Sequence, residues 1–219
     1  MVAAIFALVG AVYLASGLVI GPAGIVLDWL GISYLVVALA YAVGQPALLG
    51  KRPDGSRHLL AVVVWPYLWT AWLAWQLRRC RREPVWNEVV PGLFLGRRPA
   101  RGELPPDVTF VVDLTIELPR PRVPPGVEYW CLPTLDGRAP DERRLRALVR
   151  RIAATDGPVM VCCAAGHGRS ALVVAAVLLA RKAAPDPAAA AALVRSRRPG
   201  VRPSSSQRAL LEKLFVDSR

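Results

Sequence analysis

The sequence predicts amino-terminal transmembrane α-helices followed by one α/β domain. Three observations carry that prediction. Val2–Ile20 and Ile25–Val43 are apolar runs of membrane-spanning length, the first without a charge and the second carrying only Asp28. Beyond residue 84, apolar stretches of strand type alternate with stretches of helical type. The apolar run that follows Pro158 then reads as a buried strand that passes at Cys163 into a glycine-bearing loop and directly on into an apolar helix. A chain of 219 residues accommodates a membrane region, taken as 1–83, and a domain, 84–219, large enough to bury a core.

In chain order, Gly21-Pro22-Ala23-Gly24 separates the two apolar runs. The first run lacks a basic leader and a second comes at once, so the pair reads as a membrane hairpin rather than a cleaved signal peptide. A polar loop, Lys51–His58, leads to Leu59–Leu77, which is uncharged but interrupted by Pro66. Trp65, Trp69 and Trp72 fall on one helical stripe with Trp75 close to it, which suits an interfacial helix or rings packed between spanning helices. Two or three segments therefore span. Arg78, Arg79, Arg81 and Arg82 close the region and place the α/β domain in the cytoplasm in either case. Cys80 is juxtamembrane, with no further signal for acylation.

In the second part, Val108–Leu114 and Val127–Leu132 read as strands, with a proline-rich loop, Pro119–Pro125, between them. Asp141–Ala154 is an amphipathic helix capped by Asp141. Pro187–Arg195, with its alanine run, is a further helix. The last, Ser204–Val216, has a serine cap and Leu210, Leu211, Leu214 and Phe215 on one face. No internal repeat is present.

Chemistry concentrates in Cys163-Ala164-Ala165-Gly166-His167-Gly168-Arg169-Ser170. A loop between a strand and a helix start points backbone N–H groups inward and adds the positive end of the helix dipole, which makes a nest for a tetrahedral anion. The same field favours thiolate over thiol at Cys163. Gly166 and Gly168 allow positive φ angles and close backbone approach. Arg169 can grip two phosphoryl oxygens with its planar fork. Ser170 can hydrogen-bond the sulfur as it leaves. The phosphate-binding set is therefore Ala164, Ala165, Gly166, His167, Gly168 and Arg169. Only Cys163 among the four cysteines has arginine six positions on; at that distance from Cys80, Cys131 and Cys162 stand Trp86, Gly137 and Gly168.

Cys163–Ser170 resembles the signature loop of the dual-specificity and tyrosine-type cysteine phosphatases. Asn87–Gly96 is similar to their short opening strand, Val127–Asp136 to the strand and loop that carry their general acid, and Arg198-Pro199-Gly200-Val201 with Gln207 to their late loop and final helix. The resemblance implies a central, mostly parallel sheet flanked by helices. It also implies hydrolysis of phosphomonoesters through a phosphocysteine, with Cys163 as nucleophile and no metal or organic cofactor. Asp136, on a loop between Pro133 and Gly137, is the candidate proton donor; Asp113, at a strand end, is its rival. The family usually has histidine immediately before the nucleophile, and this chain has Cys162 there. Relatives that favour polyphosphoinositides carry lysines in the loop, where this chain has Ala164 and Ala165.

Composition fits this reading. Lys and Arg number 28 against 16 Asp and Glu, a net charge of +12, without an aromatic-basic motif for nucleic acid. The charge is read as attraction to anionic lipid and phosphorylated substrates. Two histidines and no paired cysteine spacing leave nothing with which to build a metal site. The cysteines suit a reducing compartment, with a protective disulfide from Cys131 or Cys162 to Cys163 as the alternative. Phosphoprotein is the first substrate class expected. A phospholipid, of phosphatidylglycerophosphate or phosphoinositide type, is the second, and a catalytically weak phosphate-binding module is the third reading. The sequence implies no oligomeric state.

Overall fold

A computed structural model describes residues 1–79 and 83–217. Cys80, Arg81 and Arg82 of the juxtamembrane cluster lie outside the described residues. The chain separates into two compact units, Met1–Arg81 with Ile116–Pro119, and Arg82–Thr115 with Arg120–Arg219.

In the first unit, α1 (Val2–Ile20) and α2 (Ile25–Val43) are joined by a 3-10 turn, Gly21–Gly24. Glycines let the two helices touch backbone to backbone. A Cβ on Gly10 would stand 2.9 Å from the Gly31 carbonyl oxygen, and one on Gly24 only 2.3 Å from that of Gly17. Without a hydrophobic drive between helices in lipid, such close packing is what holds a hairpin together. The helical stretch Val2–Val43 is long and apolar enough to cross a bilayer.

Leu59–Leu77 is divided next to Pro66, the residue that interrupts it in the sequence. Leu59–Val64 is a 3-10 helix and α3 covers Trp65–Arg79. Pro66 is the reason: it suits the first turn of a helix but cannot donate to, or pack beneath, a preceding α-turn. α3 is roughly 22 Å long, short of the ~30 Å hydrocarbon layer. Its amino end is fixed where Ser33 Oγ accepts the Tyr67 N–H at 3.0 Å, and the Tyr67 ring stands edge-on to Phe6 and Tyr34. In the tryptophan stripe, Trp65 and Trp69 are exposed along with Leu73 and Leu77, and the Trp69 and Trp72 rings stand edge to face 5.5 Å apart; Trp75, beside the stripe, is buried with Arg79 over its ring.

The second unit is built on a five-stranded sheet in the order β1-β2-β5-β3-β4. The strands are β1 (Trp86–Val90), β2 (Leu93–Arg97), β3 (Phe110–Thr115), β4 (Glu128–Thr134) and β5 (Val159–Cys163). β1 is antiparallel to β2, and every other pairing is parallel. The opening strand read over Asn87–Gly96 is thus a hairpin. Pro91-Gly92 makes its turn, with Gly92 at φ 74° and its N–H donating to Glu88 Oε1.

Among the described residues, four helices complete the unit: α4 (Glu142–Ala153), α5 (Arg169–Ala180), α6 (Pro187–Arg197) and α7 (Ser205–Val216). α5 is buried continuously from Arg169 to Leu178, as its all-round apolar sequence requires, with α4, α6 and α7 packed against it. α4 starts at Asp141, which accepts from the Arg144 N–H, and α7 at a capping box of Ser204 and Gln207. The strands alternate between two faces. Leu93, Leu95, Val112, Val161 and Cys163 join the helices in the main core. Phe94, Val111, Met160 and Cys162 form a smaller cluster on the other face with Trp86, Leu104, Val123 and Tyr129.

Candidate active site

β5 is the middle strand, buried at every residue, and it delivers Cys163 at its carboxyl end on the helical face. α5 begins six residues later at Arg169, with Gly168 as its N-cap. The loop between them is short and tightly held. Gly166 has φ 78°, and a Cβ there would come within 2.5 Å of the Gly96 carbonyl carbon and 2.7 Å of the Arg97 nitrogen. Only glycine fits against the β2 backbone at that point. Gly168 needs a different explanation from the one expected, because its φ is −118°. A Cβ there would press on Gln207 Oε1 at 3.1 Å.

The Cys163 thiol is buried, 3.2 Å from Ser170 Oγ, and receives the Gly166 N–H at 3.3 Å. Arg169 is 2 % exposed although charged. Its Nη1 donates to the carbonyls of Thr134 at 2.8 Å and Leu114 at 3.4 Å, at the ends of β4 and β3. Its Nη2 lies 3.1 Å from Asp136 Oδ1, whose side chain is 75 % exposed. Cys163, Arg169, Ser170 and Asp136 are therefore brought together: the thiol at the start of the loop beside the hydroxyl just past its end, the buried guanidinium of Arg169, and a solvent-facing carboxylate touching that guanidinium.

Asp113 is not part of this group. It is fully buried on the other face of the sheet, where it accepts from the Thr115 N–H and Oγ1–H and the Tyr129 hydroxyl. Burial, with the Asp113 charge beside it, pushes the Tyr129 phenol far above its ordinary range, so the hydroxyl remains a donor. Cys162 also points away from the site, into the smaller cluster. Cys131, Cys162 and Cys163 are free thiols. Cys131 and Cys162 flank Asp113 on its two neighbouring strands, about 10 Å apart by strand spacing and beyond disulfide reach. Cys163 faces the opposite side of the sheet from Cys162, so a disulfide between those two lacks the geometry it needs.

The outer support of the loop is Arg198, marked in the sequence only as the start of a late loop. Arg198, 3 % exposed, donates through Nε to the Gly166 carbonyl at 3.0 Å and through Nη2 to that of Ala165 at 3.2 Å. Its Nη1 reaches Asn87 Oδ1 at 2.7 Å and the Pro84 carbonyl at 3.1 Å. Burial lowers its pKa, and the Glu83 and Cys163 charges offset part of that. The signal was present as a charged residue before Pro199-Gly200, but its partners lie more than 30 residues away in sequence. Two backbone donors complete the frame: the Arg98 N–H to the Cys163 carbonyl at 2.6 Å and the Arg202 N–H to the His167 carbonyl at 2.8 Å.

No protein-family model matches the chain, and no curated protein matches it in sequence. Solved structures do. A variant of human DUSP28 is 27% identical over 62% of this chain and 97% of its own, with a TM-score of 0.57. A mouse protein described as a dual specificity phosphatase, solved with zinc tungstate, is 28% identical over 62% of this chain and 89% of its own, with a TM-score of 0.56. PTPMT1 in complex with PI(5)P, at 20% identity over 61% and 96% and a TM-score of 0.54, shares the fold. Sheet, helices and strand-to-helix loop together give the second unit the fold of the cysteine-based phosphatases of the dual-specificity and tyrosine type.

Proposed function

We propose that the protein is a membrane-tethered phosphomonoesterase that works through a phosphocysteine on phosphoproteins. The observation that carries this is the Cys163 thiol, 3.2 Å from Ser170 Oγ, in a loop that ends at the buried Arg169. Arg169 and the loop N–H groups bind the phosphoryl oxygens. Cys163 Sγ attacks phosphorus, the ester P–O bond breaks, and Asp136 gives its proton to the departing oxygen. Water then attacks the phosphocysteine while Asp136 takes its proton; the P–S bond breaks and Ser170 hydrogen-bonds the released thiolate. Residues 84–219 carry this chemistry and residues 1–83 tether it, with the domain on the cytoplasmic side by the arginine bias at the end of α3. The likeness to the mouse dual specificity phosphatase supports the phosphoprotein class.

A phospholipid substrate is the second reading. The apolar stretch Val2–Val43 favours it, since it would keep the domain at a bilayer, and so does the PI(5)P held by PTPMT1. One experiment separates the readings. The detergent-solubilised chain and its Cys163→Ser form are assayed on a phosphotyrosine peptide, a phosphoserine peptide, phosphatidylglycerophosphate and phosphoinositides. Phosphate release from peptides, abolished by Cys163→Ser, is the expected result. Release from lipids alone moves the substrate class, and release from none of these or from an aryl phosphate ends the enzymatic reading.

A further inference from the structure

The geometry points to Glu83 as a positioning residue of the phosphate loop, acting through His167 and Arg198. This rests on the reading of Cys163–Arg169 as a phosphate site. Across a trans peptide, C=O and the following N–H point in opposite directions. Arg198 draws the Ala165 and Gly166 carbonyls outward, which turns the Gly166 and His167 N–H groups inward. The Gly166 N–H indeed ends at Cys163 Sγ. The loop's anion-binding face is therefore set by what Arg198 does on its outer face.

Glu83 is tied to both parts of this arrangement. Its Oε2 is 3.7 Å from Arg198 Nη2, a negative charge beside a guanidinium that is otherwise held by neutral oxygens. The same oxygen is 2.9 Å from His167 Nε2. A carboxylate can only accept, so the ring nitrogen donates. One carboxylate thus joins the loop to the residue that shapes it. Gly200 makes room for the link: a Cβ there would stand 2.8 Å from His167 Nε2. The link is made by the residue that opens the second unit's described chain, so the phosphate site depends on the segment immediately before β1.

The test uses the full chain in detergent micelles, with inorganic phosphate as the binding probe and an aryl phosphate as the turnover probe. Glu83→Ala is expected to weaken inorganic phosphate binding and raise KM by ~tenfold, while kcat changes by less than ~threefold, the pattern of a support lost from a preorganised site. Glu83→Gln, which still accepts from His167, should recover part of the loss. His167→Ala added to Glu83→Ala should cost little more, since the link is already broken. Unchanged phosphate affinity in Glu83→Ala overturns the proposal, whether or not thermal stability falls. So do fully additive losses in the double variant. A wild type that binds phosphate without hydrolysing any ester, and loses that binding in Glu83→Ala, leaves Glu83 in place and removes the phosphatase reading. The reverse result, turnover that Glu83→Ala does not touch, removes Glu83 alone.

Discussion

Asp136→Asn separates two consequences of one carboxylate. Arg169 Nη2 and Asp136 Oδ1 are 3.1 Å apart, with Arg169 buried and Asp136 three-quarters exposed. A phosphate dianion on Arg169 must share the guanidinium with that carboxylate and meet its charge. Two unit charges about 4 Å apart interact by ~4 kcal/mol at an effective dielectric of ~20. Exposure of one partner reduces this to ~1 kcal/mol. Removing the charge while keeping the shape should therefore tighten inorganic phosphate by ~fivefold. The same change removes the proton donor, so kcat for alkyl phosphates should fall by ~10²–10⁴-fold. Aryl phosphates with acidic leaving groups should fall far less, because they depart without protonation. The assay is kcat and KM across aryl and alkyl phosphates graded by leaving-group pKa, with phosphate as competitive inhibitor. A loss that is uniform across leaving groups, or no loss at all, refutes Asp136 as the acid. Weaker phosphate binding refutes the electrostatic argument.

Ser170→Ala removes the hydroxyl 3.2 Å from the thiol, so hydrolysis of the phosphocysteine should slow by ~10–100-fold and rapid-quench kinetics should show a burst. Gly166→Ala places a methyl against the β2 backbone at positive φ; a stability loss of ~2 kcal/mol or more in thermal melts, with phosphate binding abolished, is expected. Cys162→Ala leaves a small void on the face opposite the site, so it should cost ~1 kcal/mol in stability while kcat/KM stays within ~threefold. The Glu142 carboxyl is held below its ordinary value by hydrogen bonds from Lys213 first and Arg146 second. Its contribution is present above the usual carboxylate range and lost as pH falls through the lowered value, so Glu142→Gln should flatten the acid limb of the melting curve.

The site was legible where its residues are contiguous. Cys163, Gly166, Arg169 and Ser170 lie in eight consecutive residues, and a strand running into a helix leaves a short loop few conformations. The apolar hairpin was legible for a similar reason, since length and scarcity of charge suffice to specify it. Asp136 was reachable only through resemblance, because nothing local distinguishes its Asp-Gly turn from any other. The hairpin of β1 and β2 was read as a single strand, since Pro91-Gly92 interrupts too few residues to break the pattern. Pro66 was seen, but its effect on the turns before it depends on how the chain enters α3.

The amino-acid order alone picked out the Cys163 thiol, the Arg169 guanidinium and the strand-to-helix turn that joins them, because those are bound by covalent proximity. Tertiary structure decided which neighbours complete the site. Alternation along β5 sends Cys162 to one face of the sheet and Cys163 to the other, so adjacent cysteines have unrelated surroundings. The burial of Arg198 and its two carbonyl partners in the loop arise only when segments more than 30 residues apart are folded together. A buried cation must find oxygens wherever the fold supplies them, and no local pattern in the sequence records where those will be.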